Sequence, residues 1–228
     1  MIKAANVTFE TLLMLEPEHP MLLIEENPAE FRRIVTALDA QFNGGDDEFV
    51  FTEDGGRIKA ATRGVFVRDC SGLDMSDKKI TSAIFKAAER SFNDGEYLTE
   101  LNRINAEVCR FIGDITYDFP YAVEYDEGNL ADYLKLVGLR AAENYESYPE
   151  RLICFTNLMS GLRFSDFMVF VNLKSFMTDE ELSTYYAHCA SEKISLLLLE
   201  SHKARKLLSC ERAVIITEDL CEITENID

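Results

Sequence analysis

The chain is poor in basic residues. Its 228 residues hold 23 lysines and arginines against 41 aspartates and glutamates, for a formal net charge of −18. A field of that sign repels phosphate at long range and argues against non-specific attraction of a lone subunit to nucleic acid. It favours a protein partner or a divalent cation. The sum describes the far field only, because subunits closed into a ring can gather their few bases on an inner wall. Long apolar runs are missing as well. No stretch approaches the roughly 18–20 residues of a membrane span, and Met1-Ile2-Lys3-Ala4-Ala5-Asn6-Val7 lacks the apolar core of a secretion signal. A cytoplasmic protein without a membrane partner is expected. The six cysteines form no C-x-x-C and do not cluster with histidine, which excludes a zinc or redox motif. No G-x-S-x-G elbow or H-E-x-x-H occurs, so the enzyme prior is low.

What is present is an α/β pattern. Phe164 to Glu200 reads as strand, capped helix, strand. Phe167–Val171 and Ile194–Leu199 are continuous apolar runs of the kind buried on both faces of a parallel sheet. Thr178-Asp179-Glu180-Glu181 between them fits a capping box. That frame usually serves nucleotides, yet the G-x-x-x-x-G-K-[S/T] string that cradles phosphates is absent. The fold expected is therefore α/β, with a P-loop-NTPase-like parallel-sheet head lacking a phosphate loop.

Further strands are expected at Val7 to Leu15, Pro20 to Ile24, Glu48 to Phe51, Gly64 to Val67, Ala213 to Ile216 and Leu220 to Ile223. Gly44 to Asp47 reads as a loop and Asp54-Gly55-Gly56 as a hairpin turn. Asn27-Pro28 starts a helix whose Phe31, Ile34, Val35 and Leu38 share one face. From Ser76 to about Gly161 only helix-period patterns remain, four in number, the last following Pro149. An inserted α-helical leg at 76–161 thus interrupts a head made of 1–75 and 162–228.

Val67-Arg68-Asp69-Cys70-Ser71-Gly72-Leu73-Asp74, the acidic turn Val123-Glu124-Tyr125-Asp126-Glu127, the segment Leu134 to Arg140, and Val169 to Asn172 through Phe176 to Glu181 to Leu197–Glu200 follow one another in a telling order. In that order and spacing the chain resembles the short form of the CRISPR adaptation accessory family of type II-A systems. The resemblance implies a homotetrameric ring that binds ends of linear double-stranded DNA in a central channel and holds calcium as a structural ion. It implies no catalysis, and action beside the spacer-integrating nuclease pair and the RNA-guided effector nuclease.

Asp118, Glu124, Asp126, Glu127 and Asp132 supply hard oxygen donors suited to calcium. An acidic interhelical turn is otherwise a solvated surface, and Pro120 and Ala122 stand where family members carry further acids. Lys135 and Arg140 stand where the family carries lysines. Lys78, Lys79, Lys86 and Arg90 share a broad face of the first inserted helix, and Arg103 and Arg110 lie two turns apart on the next. Each is a candidate phosphate contact, and a salt bridge to an acid is the bland alternative. Phe164-Ser165-Asp166-Phe167 replaces a lysine run of the family. Asp69 and Asp74, at a strand's carboxyl end, would serve a metal-dependent nuclease or degenerate ATPase, or else cap the following turns. His188-Cys189 are helical neighbours pointing about 100° apart, a poor catalytic pair. The remaining alternative is an acidic protein adaptor that never touches DNA.

Overall fold

The structure, a computed structural model, describes residues 1–226 apart from 47, 77, 94, 163, 164, 204 and 205, with the side chain of Lys79 also outside the described set. Asp47 of the expected loop and Phe164 at the start of the strand–helix–strand stretch lie outside the described residues.

In chain order the elements begin with β1 (Ile2–Ala5), β2 (Leu13–Leu15), β3 (Met21–Glu25), α1 (Pro28–Phe42), β4 (Val50–Glu53), β5 (Gly56–Ile58), α2 (Ala60–Arg63) and β6 (Gly64–Val67). Helices α3 (Lys78–Asn93), α4 (Leu98–Thr116), α5 (Leu130–Leu136) and α6 (Tyr148–Gly161) follow. The chain closes with β7 (Phe167–Val171), α7 (Asp179–Ser191), β8 (Ser195–Glu200), β9 (Arg212–Ile216) and β10 (Glu222–Glu225). Two compact units result: Met1–Leu73 with the segment from Asn144 onward, and Asp74–Glu143. The helical segment expected at 76–161 is thus divided, and α6 belongs to the first unit. There its Leu152, Phe155 and Met159 are buried, and Thr156 Oγ1 lies 2.9 Å from the Tyr185 hydroxyl of α7.

The first unit is built on a six-stranded sheet in the order β10-β9-β3-β8-β7-β6. All its pairings are parallel except β10 with β9, so the sheet is mixed. The apolar runs fill β3, β7 and β8, whose residues are all buried. One face packs α1 through Ile34 and Leu38; Leu182, Tyr185 and Cys189 of α7 are also buried. A second sheet, β2-β1-β4-β5, is antiparallel. Phe51 stacks on Phe167 at 5.0 Å, joining the two sheets. Gly64 is required beside this contact, since a Cβ there would stand 2.5 Å from the Phe167 ring.

Local signals explain the element starts. Asn27 Oδ1 accepts the N–H groups of Ala29 and Glu30 ahead of Pro28, and Thr178 and Glu181 form the reciprocal capping box of α7. The hairpin between β4 and β5 turns at Asp54 and Gly55, both at positive φ. The connection from β3 to α1 is only Glu26-Asn27, too short for an eight-residue phosphate loop.

Two strand expectations need correction. Only Leu13–Leu15 of the segment from Val7 is a strand, because Asn6 Oδ1 takes the Thr8 N–H at 2.9 Å and the Glu222 carboxylate takes the N–H groups of Glu10 and Thr11. Backbone donors held by side chains are lost to a ladder. The last strand starts at Glu222 rather than Leu220, because Leu220 adopts φ 61° in the turn that returns its own N–H to Thr217 O and the Cys221 N–H to Thr217 Oγ1.

In the second unit, Asn129 and Asp132 form a capping box at the start of α5. Asn105 is its buried polar anchor. Its amide donates to Gly128 O at 3.0 Å, while its oxygen accepts Gly128 N–H at 3.1 Å and the Tyr133 hydroxyl at 2.7 Å. The apolar face of α4 stays open: Ile104, Val108, Phe111 and Ile115, spaced as one helical stripe, are 37%, 42%, 61% and 52% exposed.

Candidate nucleic-acid interface

The basic side chains of the inserted helices fall into two groups. Lys78, Lys86 and Arg90 are exposed on α3, within one broad sector of the helix. Lys135 is exposed in the last turn of α5, where the helix dipole favours a cation. Arg140 is exposed and donates Nη1 to Gly138 O at 3.2 Å. None of these five makes an ion pair among the described residues; the Lys79 side chain lies outside that set. Arg103 and Arg110 differ. Arg103 bridges Glu100 at 2.6 Å and Glu107 at 2.7 Å, and Arg110 approaches Asp114 at 3.6 Å. The hydrogen bonds and charge of Arg103 hold the Glu100 carboxyl below its ordinary value. The salt-bridge reading therefore holds for these two arginines, while the other five keep their charge available to solvent.

Asp118, Glu124, Asp126, Glu127 and Asp132 are all exposed. Asp132 Oδ2 accepts the Asn129 N–H at 3.2 Å as part of the cap. The donors have the right chemistry for calcium, but among the described residues no three metal-binding side chains stand together. Among the described residues these carboxylates do not by themselves supply the six to eight oxygens that calcium takes.

At the carboxyl end of β6 both aspartates close turns. Asp69 Oδ1 accepts the Ser71 hydroxyl at 2.6 Å and N–H at 2.9 Å, which lowers its pKa. Asp74 Oδ1 accepts the same pair from Ser76, at 2.6 and 2.7 Å. His188 Nε2 lies 2.8 Å from Asn157 Oδ1, and burial pushes the Cys189 thiol up to about 12, so no activated thiol arises.

One constellation escaped the sequence reading. Lys174, 5% exposed, sits 2.6 Å from both oxygens of Glu211, which is fully buried. The Tyr186 hydroxyl and the Leu208 N–H also donate to Glu211, each at 2.8 Å, and Glu200 accepts the Lys174 N–H. The partners lie 37 positions apart. No local spacing marks Lys174 as buried.

Fold and surface together define a class: an α/β protein with a mixed, mostly parallel sheet and an inserted helical unit that exposes basic side chains with no ion pair among the described residues. The family model described as CRISPR-associated protein (Cas_Csn2) matches residues 41–220. A curated relative from Streptococcus agalactiae, named CRISPR-associated protein Csn2, is 22% identical over 182 residues, which is 79% of this chain and 80% of the relative. Among solved structures, a bacterial Atm1-family ABC exporter with ATP bound aligns at TM-score 0.45 and 11% identity. That alignment covers 95% of this chain, which spans 37% of the exporter chain, and so slight a likeness carries no weight here. The chain belongs to the Csn2 family of CRISPR-associated proteins. The resemblance drawn from its motifs is thereby borne out. No helix of the described residues is long and apolar enough to cross a membrane.

Proposed function

We propose that this chain is a non-catalytic protein of type II-A CRISPR adaptation, cytoplasmic, that binds ends of double-stranded DNA as a homotetrameric ring threaded by the duplex. The observation that carries the reading is the division among its cations. In a chain of net charge −18, Lys78, Lys86, Arg90, Lys135 and Arg140 remain exposed and free of ion pairs among the described residues. Such residues contact phosphate without reading sequence. Self-association is supported by the open stripe Ile104, Val108, Phe111 and Ile115 on α4, since contiguous exposed apolar surface marks an interaction site. The parallel strand order and the two-residue connection after β3 support reading the first unit as a P-loop-like head without a phosphate loop. Asp69 and Asp74 close turns and, among the described residues, belong to no cluster of three metal-binding side chains, which favours this reading over the nuclease or ATPase alternative. Calcium is proposed for Asp118, Glu124, Asp126, Glu127 and Asp132, with water or a second subunit completing the ligand set. Family membership supports action beside the integrase nuclease pair and the RNA-guided effector nuclease.

Native mass spectrometry with and without a chelator tests assembly and metal together, and the expected species is a calcium-bearing tetramer. Linear duplex is expected to bind and covalently closed circles are not. A lone subunit at micromolar concentration with calcium supplied, or equal capture of nicked circular and linear DNA, would overturn the ring.

A further inference from the structure

A cleft of about 410 Å³ is lined by residues of β1, β2, β4, α2 and β8, but its Glu16, Glu53, Arg63 and Asp166 are already engaged in ion pairs. A second cleft, of about 560 Å³, lies at the carboxyl ends of β6 and β7 in the first unit and is differently furnished. Its volume lies in the range of small-molecule sites, and it occupies the end of the strands where parallel sheets bind their ligands.

Three features of this cleft are complementary to a nucleotide. Phe176 lines it with a ring that is 45% exposed, backed by Tyr148 at 6.1 Å in a stacked arrangement. The Tyr148 hydroxyl donates to Cys70 O at 2.9 Å, so the backing ring is fixed. A rigid aromatic face open to solvent is a stacking platform for a base. Arg68 lines the same cleft; its side chain is 69% exposed, and its ion pair to Asp39 is long at 3.8 Å. A guanidinium so loosely held can turn to a phosphate. Asp69 is held by three donors on Oδ1, while its Oδ2 accepts no hydrogen bond among the described residues. That oxygen is available to a sugar hydroxyl or an exocyclic amino group. Asn172, whose Oδ1 accepts the Ser201 N–H at 2.8 Å, and Ser175 add polar groups to the wall.

We propose that this cleft binds a nucleotide, with the base on Phe176, the phosphate at Arg68 and a hydroxyl or amino donor at Asp69. The site takes no lining residue from the inserted unit, so the proposal stands or falls without the cations there. Two sources share this chemistry, a free nucleotide and the unpaired terminal nucleotide of a DNA overhang.

The test is ligand-observed saturation-transfer NMR on the full chain with ATP, GTP, CTP and the corresponding nucleosides at about 1 mM, alongside competition by duplexes with blunt or three-nucleotide single-stranded ends. Saturation transfer is expected for nucleotides, with Phe176→Ala weakening binding at least about fivefold, the stacking loss of one base. Arg68→Ala is expected to remove the preference for nucleotide over nucleoside. Lys59→Ala, at an exposed position that does not line the cleft, should leave nucleotide binding unchanged. Phe176→Tyr keeps the platform and should retain binding, which separates a lost contact from a lost fold. Binding of the overhang but not of free nucleotides, sensitive to Phe176→Ala, assigns the DNA terminus as the source. No binding by either source, or binding indifferent to both Phe176→Ala and Arg68→Ala, overturns the proposal whatever the fate of the ring.

Discussion

Replacing Lys86 by alanine should change how duplex binding responds to salt, whereas replacing Arg103 should not. A cation that neutralises a phosphate releases condensed counterions, so log K falls against log salt with a slope of about −0.9 per contact. Within the unit Asp74–Glu143, Lys78, Lys86, Arg90, Lys135 and Arg140 are the exposed cations with no ion pair among the described residues. If all engage, one chain contributes a slope of about −4 to −5. Lys86→Ala or Arg90→Ala should flatten it by about 0.9 for each contacting chain, which removes roughly a three- to fourfold change in affinity between 50 and 200 mM salt. Arg103 already faces Glu100 at 2.6 Å and Glu107 at 2.7 Å, an exposed arrangement of little energetic weight but one that leaves no charge to lend. Its removal should shift affinity slightly and leave the slope alone. Anisotropy of a dye-labelled blunt duplex across a salt series reads both quantities. If Arg103→Ala flattens the line as much as Lys86→Ala, or if no free cation affects it, the division into free and paired cations does not govern DNA binding.

Lys174→Met should destabilise the first unit by about 3–5 kcal/mol, because among the described residues the buried Glu211 carboxylate then keeps only the Tyr186 hydroxyl and the Leu208 N–H. Denaturant titration measures this loss; Lys174→Met with Glu211→Leu should return part of it, and a single-variant cost below about 1 kcal/mol refutes the role assigned to the pair. Acid should act through Glu222. Burial alone would raise its pKa, but hydrogen bonds from Thr11 and Glu10 outweigh that and hold it below the ordinary 4.5. A depressed folded value gives stability that is complete above 4.5 and is lost as pH falls through the folded value. The advantage of the natural chain over Glu222→Gln, followed by thermal melts, should accordingly shrink below pH 4.5; an advantage that persists unchanged in stronger acid contradicts the linkage.

The parts of this molecule that sequence disclosed are those whose cause is local. Asn27 before Pro28, and Thr178 with Glu181, satisfy N–H groups within four residues of themselves, so their helix starts can be read from spacing alone. The buried runs of β7 and β8 are legible for the same reason. Strand order is not: β3 lies between β8 and β9, which follow it by more than 160 positions. Helix period also fails to say which body a helix joins. The pattern of Leu152, Phe155 and Met159 announces an apolar face and nothing about α7, so α6 reads as part of the insertion while packing in the first unit.

The same limit gives the α4 stripe its meaning. Ile104, Val108 and Phe111 have the spacing of a buried face, and from sequence they pass for core. In the folded chain they are open, while the buried position on α4 is the polar Asn105, engaged by Gly128 and Tyr133. Periodicity reports that a face is apolar; what covers it belongs to tertiary or quaternary structure. Where the chain itself supplies no cover, a second copy is the simplest donor, because a symmetric contact needs no further gene product. The cations of α3 lie in the same inserted unit. Assembly through that unit would bring several copies of a few basic residues together, an arrangement by which a subunit of charge −18 can present a duplex with a locally positive surface.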